Sequence, residues 1–204
     1  MIKKRRSFII GIKSASLNKN EILFLKKYKP WGVILFSRNI KSIKQTQILT
    51  QQIKKIFNDK NYPILIDQEG GSVSRLNKFI DTSIFTAEYF GKLYIKNKKK
   101  FNINFEIYIK QITYLLKLIG VNINTVPVLD VRRNFTNKII YDRSYSTNPK
   151  IVSKIGRLCI KYFHKYGVAT VIKHIPGHGL AKTDSHKNLP IIKKNISTLE
   201  KYDF

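Results

Sequence analysis

The chain has 204 residues, one Cys, 43% hydrophobic residues, and 39 Lys+Arg against 12 Asp+Glu, for a net charge of +27. That length suits one domain, or two small ones, and an ordinary apolar fraction excludes wholesale disorder and any need for disulfide or metal staples. Only eight of the basic residues are Arg, the side chain preferred for reading phosphates and base edges, so the charge reads as solvated Lys, with no specific nucleic-acid partner expected.

The predicted elements alternate. Residues 8–12 form a short apolar run and read as a buried strand, and the basic start before it is too short at its apolar end to be a signal peptide. Residues 18–28 read as a helix opened by an Asn or Ser cap, and 33–36 as a second strand. Residues 42–57 form a second helix, with Ser42 as cap and Ile43, Ile48, Leu49, Ile53 and Ile56 near helical spacing. A third strand at 63–66 runs into Asp67-Gln-Glu-Gly-Gly71. After a loop region, 101–119 is helical, 121–129 a fourth strand, 148–166 a helix stopped by Gly167, and 169–172 a fifth strand. Cys159 falls on the last of these helices and reads as a small buried hydrophobe. No run approaches the roughly 20 apolar residues of a spanning helix, so a cytoplasmic protein with no membrane partner is expected.

Continuous apolar strands joined by helices predict a parallel sheet. A doubly wound open sheet and a (β/α)₈ barrel both fit. Polar residues directly after strands (Asp67, Asp130, Lys173 and His174) suit the barrel, whose chemistry sits at the C-terminal strand ends. No Gly-rich dinucleotide fingerprint or phosphate-binding lysine loop is present.

Three segments carry chemistry. The densest runs from Lys173 through His174, Pro176, His178 and Asp184 to His186, which places three of the four His in one Gly-rich loop. Asp184 and His186 can pair as a dyad, since positions i and i+2 of an extended chain share a side and a carboxylate raises the basicity of an imidazole. Alternatively His174, His178, His186 and Asp184 would ligate a metal, although their spacing matches no zinc signature. The second segment, from Asp67 to Arg75, places carboxylates after a buried strand beside a Gly-Gly turn, with Arg75 able to pair with one of them. The third leads from Pro127-Val-Leu-Asp130 to Tyr141-Asp-Arg-Ser-Tyr145.

In this order, Asp-Gln-Glu-Gly-Gly-x-Val-x-Arg, Pro-Val-Leu-Asp, Arg-Ser-Tyr and Lys-His-x-Pro-Gly-His-Gly-x4-Asp-Ser-His resemble bacterial β-N-acetylhexosaminidases of glycoside hydrolase family three. The resemblance runs from the first strand to the chain end. It implies a (β/α)₈ TIM-type barrel, with residues 1–204 as the N-terminal part of a single glycoside hydrolase domain holding about the first five βα units. It also implies release of terminal β-linked N-acetylglucosamine from peptidoglycan fragments, a muropeptide or disaccharide, in cell-wall recycling. Asp67, Arg75, Arg143, Lys173 and His174 would hold the sugar, while Glu69 is expected to matter less. His186, partnered by Asp184, would be the acid/base of a retaining reaction. Retaining glycosidases ordinarily use two carboxylates, and the dyad would replace one of them. No cofactor and no metal are implied. The family's nucleophilic Asp lies on a later strand with no counterpart here, so a second chain carrying the other barrel half, or an inactive sugar-binding remnant, are the alternatives, with the metal-dependent hydrolase behind them.

Overall fold

The computed structural model describes residues 5–183 and 189–202. Five parallel strands, β1 (Arg6–Gly11), β2 (Pro30–Leu35), β3 (Ile64–Ile66), β4 (Ile123–Asn124) and β5 (Ala169–Thr170), form one sheet in the order β1-β2-β3-β4-β5. Helices α1 (Lys19–Tyr28), α2 (Ile43–Ile56), α3 (Ala87–Lys96), α4 (Lys98–Leu118), α5 (Pro149–Lys165) and α6 (Ile196–Tyr202) complete the elements. Strand order equal to chain order decides between the two architectures. Right-handed crossovers that never reverse direction put every connecting helix on the same face, which curls the sheet toward a barrel. A doubly wound sheet would reverse its order at a switch point. The fold is therefore a partial (β/α) barrel.

Local signals account for the helix ends. Asn18 and Glu21 form a reciprocal capping box at α1, Ser42 caps α2, and Asn148 with Pro149 opens α5. Gly167, at φ +79°, turns the chain from α5 toward β5. In the wall, β3 is central and every one of its residues is buried. Behind it α4 buries Phe101, Phe105, Ile109, Ile112 and Leu116, and α5 buries Val152, Ile155, Tyr162 and Phe163. Cys159 is buried with them, as expected, and burial pushes its thiol up to about 12.

Several boundaries differ from the sequence reading. Helix α3 occupies part of what reads as loop. Thr86 caps it, and Asn97 both ends it and caps α4, so the two helices meet at one residue inside a Lys-rich run. Strand β4 is two residues long rather than nine. Beyond it, the buried Asn124 side chain accepts the Gln68 N–H at 3.0 Å and donates to the Gln68 carbonyl at 2.8 Å, and Pro127 has no N–H to give a ladder. Pairing resumes at the Val128–Lys173 bridge, where the Leu129 N–H meets the Lys173 carbonyl. On α2 the buried face is Thr46, Leu49, Thr50 and Ile53, while Ile48 is exposed.

Among the described residues the outer edges of β1 and β5 have no neighbouring strand. Ile9, Val171, Ile172 and Ile175 are exposed there, and an open groove of about 400 Å³ lies between the end of β1 and α1. No helix of the described residues is long and apolar enough to cross a membrane.

Candidate active site

Side chains leaving the C-terminal ends of β3, β4 and β5 meet on one end of the sheet. Asp67 follows β3, and its Oδ1 accepts the Thr125 hydroxyl and the Lys173 ammonium, the latter at 3.0 Å. Arg75 stands 3.8 Å from Oδ2, the pairing expected from its place beyond the Gly-Gly turn. Burial pushes the Asp67 carboxyl up, but Lys173, Thr125 and Arg75 outweigh it and hold the group below its ordinary range. Asp67 is therefore an anion at neutral pH.

Glu69, almost fully buried, is the second centre. Arg143 donates to it through Nε at 2.8 Å and Nη2 at 2.9 Å, a fork on a carboxylate, and Lys173 Nζ lies 2.5 Å from Oε1. Burial works against the Arg143 cation, and the Glu69 bonds overcome that and raise its pKa. Lys173 thus bridges Asp67 and Glu69, tying β5 to β3. The tight Gly70–Gly71 turn makes this possible. Gly70 sits at φ +98°, and a Cβ there would lie 2.3 Å from the Phe85 carbonyl oxygen.

Asp130, completely buried, is the third centre. Its Oδ2 lies 2.6 Å from His174 Nδ1, and its Oδ1 accepts the His178 backbone N–H at 2.6 Å. The loop that starts at His178 is stitched to the loop after β4. Thr136 donates its hydroxyl to the Gly179 carbonyl at 2.5 Å, and Asn137 bonds the Ala181 and Lys182 carbonyls. Gly179 passes so close that a Cβ would lie 2.0 Å from the Val131 oxygen.

The structure therefore brings Asp67, Arg75, Arg143, Lys173 and His174 together. Asp184 and His186 lie outside the described residues. Sequence reasoning gave Thr125 no role, ranked Glu69 as a lesser carboxylate and named Asp130 only within the third segment. Asp130 had a signal, a carboxylate directly after a strand. Glu69 had none beyond its motif, because the turn that points it at Arg143 is a tertiary feature. Among the described residues no group of three or more His, Cys, Asp and Glu side chains is arranged to hold a metal ion. Behind Glu69 and Arg143 lies an enclosed space of about 20 Å³, room for roughly one water and far too small for a sugar ring.

As a chemical device the site is a balanced lattice. Three carboxylates face three permanent cations (Arg75, Arg143 and Lys173), with the His174 imidazole completing the set. Such an arrangement offers directed donors and acceptors without net charge, inside a chain of +27.

Comparison with known proteins places these residues in context. Residues 9–204 match the family model described as the glycosyl hydrolase family 3 N terminal domain. A beta-hexosaminidase of Hydrogenovibrio crunogenus is 30% identical over 199 residues, covering 96% of this chain and 54% of that protein. Beta-hexosaminidase A of Pseudoalteromonas piscicida is 32% identical over 187 residues, covering 88% of this chain and 30% of that protein. Among solved structures, NagZ from Neisseria gonorrhoeae in complex with N-trifluoroacetyl-D-glucosamine superposes with a TM-score of 0.88 at 28% identity, covering 98% of this chain and 58% of that one. The chain thus spans between about a third and three-fifths of the length of these relatives.

Proposed function

The chain belongs to glycosyl hydrolase family 3, and from that premise we propose that its site holds a terminal, β-linked N-acetylglucosamine for hydrolysis. The observation that carries the reading is the charge balance. A phosphate or nucleotide site would present unpaired cations, whereas here Arg75, Arg143 and Lys173 each stand against a carboxylate, as suits a neutral ligand rich in hydroxyls. In this reading Asp67, Arg75, Arg143, Lys173 and His174 hold the non-reducing sugar. Asp184 and His186 act as the acid/base pair.

A retaining reaction also needs a carboxylate to attack the anomeric carbon. Asp67, Glu69 and Asp130 are poor candidates, because each is already held by cations or N–H donors that lower its nucleophilicity. We assign the attack to a carboxylate of the remaining barrel half, whether on this polypeptide or on another. Muropeptides or disaccharides of cell-wall recycling in the cytoplasm are the proposed substrates. No cofactor enters the scheme.

A second reading, a sugar-binding module without turnover, draws on the same observation, since all three described carboxylates of the site are engaged. Two measurements separate the cases. Titration with N-acetylglucosamine should show saturable binding, lost on Asp67→Ala. Turnover of a nitrophenyl N-acetylglucosaminide should appear only with a complementing barrel half, and chelators should not reduce it. Turnover by the 204-residue chain alone would overturn the nucleophile assignment, and absence of sugar binding would overturn the whole reading.

A further inference from the structure

We propose that Asp130 is a positioning residue that fixes the tautomer of His174, with the proton on Nδ1 and a bare Nε2 that accepts a hydrogen bond from a ligand hydroxyl. The use of that hydroxyl rests on the sugar-site reading above, whereas the tautomer itself does not.

Asp130 is fully buried, yet both of its oxygens are engaged. One accepts the His178 N–H at 2.6 Å and the other faces His174 Nδ1 at 2.6 Å. The partner of Oδ1 is a backbone N–H, which can only donate, so the carboxylate enters this pair of contacts as an acceptor. An ionised carboxylate only accepts, so Nδ1 must donate. In a neutral imidazole the other nitrogen then carries the lone pair.

The assignment matters because the rest of the lattice is rich in donors. Arg75, Arg143 and Lys173 can only donate; Asp67 faces Arg75 and Lys173, while the oxygens of Glu69 are taken up by Arg143 and Lys173. A vicinal diol needs acceptors as well as donors. His174 Nε2 supplies one from the residues after β5, beside Asp67 from those after β3. Because the same carboxylate pins the His178 N–H, the orientation of this acceptor is tied to the base of the loop leading to Asp184 and His186.

The test is ¹⁵N spectroscopy of histidine-labelled full chain, recorded by magic-angle spinning on sedimented protein so that self-association does not interfere. His174→Ala identifies the His174 signals. The wild-type spectrum should show His174 protonated at Nδ1 and bare at Nε2, and saturation with N-acetylglucosamine should shift the Nε2 resonance. In Asp130→Asn, the amide oxygen can keep the His178 N–H while the amide nitrogen donates to Nδ1. The proton should therefore move to Nε2, and N-acetylglucosamine affinity should fall about tenfold, the scale of one misdirected hydrogen bond. Wild-type His174 protonated at Nε2 overturns the inference, as does a folded Asp130→Asn with an unchanged tautomer. If that variant does not fold, the wild-type spectrum alone decides. A bare Nε2 that does not respond to saturating sugar supports the positioning role and overturns the sugar-site reading instead.

Discussion

Glu69 is the residue whose environment departs most from its appearance in the sequence. Two residues from Asp67, it reads as a supporting carboxylate, but it is buried between Arg143 and Lys173 and holds both. Removing it strands the largely desolvated Arg143 beside Lys173, which keeps only Asp67 as its carboxylate partner. Glu69→Ala should cost about 3–5 kcal/mol of stability, read from denaturant unfolding, the scale for stranding a buried charge. A loss below about 1 kcal/mol would show that the lattice tolerates unpaired cations. Asp67 makes a prediction about pH. Its folded pKa is depressed, so its contribution is present above the unfolded value near about 3.9 and is lost as pH falls through the folded value. The stability difference between wild type and Asp67→Asn should therefore be constant at neutral pH and shrink below about pH 4. In a complemented enzyme, His186→Ala should slow cleavage of a natural disaccharide by about 10²–10⁴, and far less for a nitrophenyl glycoside, whose leaving group needs little protonation. Equal losses on both substrates would remove His186 from the acid role. At this scale the sequence was informative where a motif reports chemistry directly: Asp67, Arg75, Arg143, Lys173 and His174 all converge. It was silent where a turn decides direction, as for Glu69, or where a hydroxyl serves a neighbour, as for Thr125, and it marked Asp130 as a strand-end carboxylate without showing that it serves His174.

Between residues and whole molecule, the elements follow the same division. Strands β1 to β3 and helices α1, α2, α4 and α5 were legible because caps and apolar spacing lie within a few residues of each other. Helix α3 was not, since its Thr86 cap precedes a short amphipathic stretch that merges into the Lys and Asn run starting α4. Strands β4 and β5 read long because their apolar runs continue past the point where Asn124 and Pro127 interrupt the ladder. One substitution isolates how tightly α3 is seated. Gly91 lies inside that helix, and a Cβ there would stand 1.7 Å from the Tyr145 carbonyl oxygen. In an ordinary helix interior Gly→Ala gains up to about 1 kcal/mol. Here Gly91→Ala should instead cost about 1–3 kcal/mol, because backbone must move to admit the methyl. A midpoint shift in denaturant shows the sign directly, and a stabilising result would mean α3 rides loosely on the Tyr145 segment.

For the molecule as a whole, the described sheet has two open edges flanked by exposed Ile9, Val171, Ile172 and Ile175. Unpaired parallel edges and apolar patches favour pairing with another chain, while +27 of charge opposes it. The 204-residue chain produced by itself should therefore self-associate, and the more so as salt screens the repulsion. Sedimentation velocity at low and high salt measures this. A monodisperse monomer at high salt would show that the edges protect themselves. The sequential strand order has another consequence, felt during synthesis. Each strand pairs with the one made just before it, β2 on β1 and so on to β5 on β4. Every pairing in the sheet is thus available as soon as its later strand leaves the ribosome, and none waits on sequence still to be translated. The wall can grow one unit at a time, in the direction of translation, with the β1 edge open from the start and only the other edge advancing.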